Sequence, residues 1–178
     1  MQTFMHRDGQ EYFYTDIPYM ITVDLLEKDY MAYKFLLEKY AEYKTTEEYQ
    51  ELYDEEVGDH LTEKLNDTTE YDVWYSSHLH SLAYLAGDPS DFAKSKRSEL
   101  EKGGSGIWYG CSTNIPESDA INIAHLMISL GANLDISNYY GDTLIDTLEK
   151  KDSLTGREND NFSYYIKMRY IDAPIHNQ

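Results

Sequence analysis

The chain predicts a mainly α fold, a short stack of antiparallel helix pairs carrying an acidic helical insertion. Three observations predict it. Apolar and aromatic residues recur at helical spacing in segment after segment, and glycine or proline punctuates most of those segments. Gly131 and Gly141 stand ten residues apart, one apolar helical run ending at the first and another opening after the second. At 178 residues the chain fits one domain, 1–178, able to bury about two thirds of the surface its unfolded form exposes.

The elements follow in order. Residues up to about Asp16 are polar and aromatic without a clear period, and read as a strand or a packed arm. Residues 17–44, IPYMITVDLLEKDYMAYKFLLEKYAEYK, give two helical patterns separated by Lys28 and Asp29. Ile21 and Leu25 share a face of the first; Ala32, Phe35, Leu36 and Lys39 trace the second. In TTEEYQELYDEEVGDH, Thr45 and Glu48 have capping-box spacing, Tyr49, Leu52, Tyr53 and Val57 fall at helical spacing, and Gly58 is a stop signal. Leu61 and Leu65 continue the pattern after a break. Residues 73–104 read as two more helices, one ending near Gly87, the other opening at Pro89 or Ser90 and ending at Gly103. GGSGIWYGCSTNIP is a loop that buries an aromatic residue or two. Ser118 then caps a helix whose apolar face is Ile121, Ala124, Leu126, Met127 and Leu130, and Gly131 ends it in the left-handed conformation that glycine adopts at little cost.

Gly131-Ala132-Asn133-Leu134-Asp135, followed by Asn138, Gly141, Asp142 and Thr143, resembles the ankyrin repeat pattern, and INIAHLMISLGAN before it is similar to that repeat's second helix. Leu144, Ile145 and Asp146 stand where the family has Pro-Leu-His, so the proline start and the histidine hydrogen bond are missing here. YMAYKFLLEKYAE is similar to a second helix with Tyr40 in the glycine's place, and LHSLAYLAGD resembles a first helix with its closing glycine. NFSYYIKMRYIDAPI supplies one more second helix, separated from GDTLIDTLEKK by an insertion around DSLTGREND. The resemblance implies a stack over about residues 17–175 with unlike end units that turn a polar face to water. The competing reading is an unrelated helical domain with one lookalike turn.

Little in the chain points to chemistry. The single cysteine, Cys111, excludes an internal disulfide and suggests a reducing, cytoplasmic setting; there is no leader-like segment or long apolar run, so no membrane is expected. His78 and His80 form H-x-H, but on a helix their side chains diverge by about 200° and do not readily share an ion. KGGSGI lacks the G-K-[ST] that a phosphate loop needs after four spacer residues, and Ile107 replaces the final glycine of a nucleophile elbow. No spacing selects one carboxylate pair as an acid and base. The expectation is a protein that is not an enzyme and needs no metal or cofactor.

Charge carries the functional reading. Thirty-three acids against fifteen Lys and Arg give a net charge of -18, which repels nucleic acid and anionic membranes and attracts basic proteins. Twelve acids and two lysines fall within 42–72. A helix over Glu47–Glu56 would present Glu47, Glu48, Glu51, Asp54, Glu55 and Glu56 at one charge per about 2.5 Å, denser than the roughly 3.4 Å of a DNA strand. These acids, with Tyr49 and Tyr53 as aromatic anchors, are read as a surface for a basic partner such as a nuclease or another nucleic-acid-binding protein. The function expected is a DNA-mimicking inhibitor or adaptor of the phage anti-defence or nuclease-immunity type. The alternative is a general ankyrin-like scaffold that grips its partner through the turn tip at Asn138, Tyr139 and Tyr140. The partner's identity and the oligomeric state are open.

Overall fold

The computed structural model describes residues 1–53, 59–69, 76–86, 115–155 and 161–172, the side chains of 151–155 and 170–172 excepted. The chain is mainly helical. A two-stranded antiparallel hairpin, β1 (Thr3–Met5) and β2 (Glu11–Phe13), opens it, with Phe4 opposite Tyr12. The helices are α1 (Ile17–Met20), α2 (Val23–Lys28), α3 (Tyr30–Tyr43), α4 (Glu47–Leu52), α5 (His60–Asn66), α6 (His78–Leu85), α7 (Glu117–Ser129), α8 (Leu144–Thr155) and α9 (Asn161–Asp172). Among the described residues no helix is long and apolar enough to cross a membrane.

Two layers hold these helices. α6 touches α2 on one side and α8 on the other, while α7 touches both α3 and α9; α2 meets α3, and α6 meets α7, across the layers. Buried side chains from Phe4 to Ile166 form one cluster. The acidic insertion joins it through Leu61 and Leu65, both fully buried, which set α5 against α1 and α6. The reading of 17–44 as two helical patterns breaking at Lys28 and Asp29 holds at that break, and the first pattern divides again: Ile21 closes α1 in an extended conformation and Thr22 starts α2.

Short polar side chains explain where the helices begin. An exposed backbone N–H in a first helical turn needs an acceptor, and Thr22, Asp29, Thr46, Asp59 and Ser77 each supply one. Before α8, Thr143 and Asp146 cap each other: Asp146 N–H donates to Thr143 Oγ1 at 3.1 Å and Thr143 N–H to Asp146 Oδ2 at 2.9 Å. Asp146 therefore serves the turn where the family resemblance calls for histidine, and the bond from Thr143 holds its carboxyl below the usual range. α7 departs from its expected cap, starting at Glu117 after Pro116 with Ser118 already inside the first turn. Its buried face is rotated slightly from the expected one, with Ala120, Ile123, Ala124 and Met127 inward and Ile121 and Leu126 half-buried. The helices expected between Gly87 and Gly103, and the loop before Ile115, lie outside the described residues.

Gly131 ends α7 with φ +107°, and Gly141 has φ +85° in the turn before α8. α5 fastens the first of these glycines. Thr62 Oγ1 donates to the Leu130 carbonyl at 2.8 Å, Asn66 Nδ2 donates to the Gly131 carbonyl at 2.9 Å, and Asn133 N–H donates to Asn66 Oδ1 at 2.8 Å. The insertion is thus built into the α7–α8 junction.

Candidate protein-interaction surface

The acidic segment does not form the continuous helix expected from 47 to 56. Thr46, not Thr45, caps α4, its Oγ1 accepting from Tyr49 N–H at 3.2 Å; Thr45 Oγ1 donates instead to the Glu42 carbonyl at 2.7 Å. That one-residue shift moves Glu48 out of the capping-box position. The helix then stops at Leu52, because Tyr53 takes extended backbone angles of φ -72° and ψ 128°. Asp54, Glu55, Glu56, Val57 and Gly58 lie outside the described residues.

The remaining predicted residues separate into two groups. Glu48 turns back to the hairpin: both carboxylate oxygens accept from Gln2 N–H, at 3.1 and 3.0 Å, and the Met1 amino group lies 3.7 Å away. Tyr49, expected as a partner anchor, is buried, and its hydroxyl donates to Asp59. Its outward-facing role is corrected by that bond, because a buried phenol already holding a carboxylate is part of the core. Glu47 and Glu51, one turn apart, are exposed, and no ion pair engages either among the described residues. Tyr53 is 41% exposed and stacks on Tyr49 at 5.6 Å between ring centroids. Leu52 is 56% exposed, so the outward side of α4 presents Leu52, with Tyr53 just beyond it, beside Glu47 and Glu51.

Asp59 fixes this surface from beneath. It caps α5 through Leu61 and Thr62 N–H, accepts from the Tyr40 and Tyr49 hydroxyls, and lies 3.8 Å from Lys44 Nζ. Burial, reinforced by Asp59, pushes the Tyr40 and Tyr49 phenols well above their ordinary value, so both remain hydrogen-bond donors. Tyr14 stacks on Tyr43 at 5.0 Å and Tyr43 meets Tyr49 edge-on at 5.6 Å, continuing the support to the hairpin. Among the described tyrosines, Tyr33, Tyr40, Tyr43, Tyr49 and Tyr84 are buried in the core, with Tyr53 at the outer end of this stacked series.

The second predicted surface is also only partly as expected. Asn138 is buried rather than presented at the turn tip. Its Oδ1 accepts from Tyr140 and Asp142 N–H at 3.0 and 2.9 Å, and its Nδ2 donates to Ser76 Oγ at 3.3 Å. The short amide side chain is consumed in shaping the turn. Tyr139 and Tyr140 are 72% and 50% exposed, with rings perpendicular at 5.6 Å.

The paired histidines are structural here. His78 Nδ1 meets the Tyr33 hydroxyl at 2.7 Å, tying α6 to α3. His80 Nε2 donates to the Asp142 carbonyl at 3.1 Å, which leaves Nδ1 to accept from Ser77 Oγ at 2.7 Å. Burial lowers the His80 pKa, in keeping with this neutral form. Among the described residues, no group of three His, Cys, Asp or Glu side chains is placed to hold a metal ion. A cleft lined by Pro18, Tyr19, His60, Glu63, Lys64 and Asp67 lies between α1 and α5, with no convergent set of buried polar groups that would orient a small ligand. Compared with protein-family models, curated proteins and solved structures, the chain matches none.

Proposed function

We propose that this chain is a non-enzymatic protein-interaction module, an ankyrin-like helical stack whose inserted α4 docks on a basic protein in the cytoplasm. One observation carries the reading: the end of α4 exposes Leu52 and the adjoining Tyr53 together with the carboxylates of Glu47 and Glu51, which no ion pair engages among the described residues. An exposed aromatic and aliphatic pair supplies area to bury, while the neighbouring acids select the sign of the partner. A nuclease or another nucleic-acid-binding protein is the class of partner that the net charge of -18 fits. An inhibitor of the anti-defence or immunity type would act by covering that partner's nucleic-acid site. The ending of α4 at Leu52 removes the evenly spaced ten-residue polyanion from the argument for DNA mimicry, so the reading rests on a mixed apolar and acidic contact.

The exposure of Tyr139 and Tyr140 favours a second reading, a scaffold that holds its partner at the turn before α8. Capture from lysate with the wild-type chain and two double variants separates them. Leu52→Ala/Tyr53→Ala is expected to lose a basic partner that Tyr139→Ala/Tyr140→Ala retains. Loss confined to the turn variant would replace the first reading with the second.

A further inference from the structure

We propose that the cleft between α1 and α5 receives an arginine side chain of the basic partner, held between the Tyr19 ring and the Glu63 carboxylate. The inference rests on the proposed basic partner and adds a second contact beside α4. Spacing builds one wall of the cleft. His60, Glu63, Lys64 and Asp67 fall at i, i+3, i+4 and i+7, one face of α5 and its C-cap, and Pro18 and Tyr19 of α1 complete the lining. The rest of α5 is committed to the fold: Leu61 and Leu65 are fully buried, while Thr62 and Asn66 hold the α7–α8 junction. The wall is fixed before a ligand arrives, so little ordering opposes binding.

Size, charge and the groups still available choose the occupant. The cleft's volume of about 260 Å³ falls below the roughly 300–1,000 Å³ of pockets that take a whole drug-sized ligand, which suits one long side chain. A side chain arrives oriented by its own backbone and needs no set of buried polar groups to turn it. Tyr19 is 77% exposed, and among the described residues no ring stacks on it and no ion pair engages Glu63. Lys64 and Asp67 are each already engaged, which leaves Glu63 as the acceptor for a cation. The net charge of -18 draws cations to the molecule. A guanidinium stacks flat on an aromatic ring while offering paired N–H donors to a carboxylate, which favours arginine over lysine. The α4 surface adjoins the cleft: Tyr53 stacks on Tyr49, whose hydroxyl donates to Asp59, the cap of α5 next to His60. One partner can therefore cover both.

The test titrates the isotope-labelled full chain with N-acetyl-arginine amide, N-acetyl-lysine amide and N-acetyl-citrulline amide, the last an uncharged match in shape, at about 0.15 M salt. The arginine compound is expected to shift the Tyr19 and Glu63 resonances and to bind about threefold tighter than either of the others, the scale of an exposed cation–π contact. Tyr19→Phe should keep that preference. Tyr19→Ala and Glu63→Gln, both at exposed positions, should each reduce it, and Tyr19→Ala/Glu63→Gln should abolish it and lower partner retention in lysate capture. Equal binding of the three compounds, or a double variant that prefers arginine as wild type does, would overturn the inference. Capture undiminished in that double variant but lost in Leu52→Ala/Tyr53→Ala would also overturn it, while leaving the proposed function standing. An arginine preference at the cleft in a wild-type chain that captures no basic protein would support the site and defeat the proposed function.

Discussion

At Gly131 the physical requirement can be stated atom by atom. A Cβ there would stand 2.5 Å from Thr62 Oγ1 and 2.8 Å from Thr62 Cγ2, on a backbone with φ +107°. Gly141 has φ +85° and nothing within 4 Å of its missing Cβ. Gly131→Ala should therefore destabilise the chain by about 2–3 kcal/mol, adding a steric clash to backbone strain, and Gly141→Ala by about 1 kcal/mol from strain alone. Urea unfolding of the two variants checks the difference; equal losses would show that α5 does not press on Gly131. Both glycines were legible from their spacing, because a positive φ after an apolar helical run is a local requirement. The contact from Thr62 was not, since it joins residues 69 positions apart through an insertion with no pattern to announce where it packs.

Caps and junctions decide the outcome at the scale of single elements. Thr46→Ala should cost about 1 kcal/mol by removing the α4 cap, while Thr45→Ala, which loses only an exposed bond to the Glu42 carbonyl, should cost a few tenths. The reverse order in thermal unfolding would restore the capping box that the sequence suggested. Adjacent threonines made that register ambiguous, and the one-residue shift takes Glu48 out of the capping box. Where the pattern was longer it was easier to read: α3, α7 and α8 lie on segments read as apolar helical runs, whereas α9 was expected from the family resemblance.

The α6 junction makes a pH prediction. His80 has a lowered folded pKa, chiefly from burial, so below its ordinary value of 6.5 the unfolded chain binds the proton first. Its contribution to stability is present above that pH and is lost as pH falls through the folded pKa. The loss approaches at most about 1.4 kcal/mol per pH unit for one such group. Urea titrations from pH 7 to pH 5 should show a steeper decline in wild type than in His80→Gln; parallel declines would mean that His80 does not couple protonation to folding.

Across the whole molecule, composition announced the charge and helical periodicity announced the layers, but neither gave the working surface. Of the six acids expected on one helix, Glu47 and Glu51 face solvent, Glu48 is held by Gln2, and Asp54, Glu55 and Glu56 lie outside the described residues; the expected anchor Tyr49 is enclosed with Asp59. Which carboxylates serve the protein's own backbone depends on contacts across 46 residues, and no local pattern encodes those. Leu52, apolar and at helical spacing from Tyr49, is nonetheless exposed. The measurement that bears most directly on the proposed role is the dissociation constant of the purified chain with its captured partner, followed as salt rises from about 50 mM to about 500 mM. The account predicts affinity that weakens by about tenfold or more over that range, with a shallower salt slope in Glu47→Gln/Glu51→Gln and a further loss in Leu52→Ala/Tyr53→Ala. Affinity indifferent to salt and to all four substitutions would contradict it.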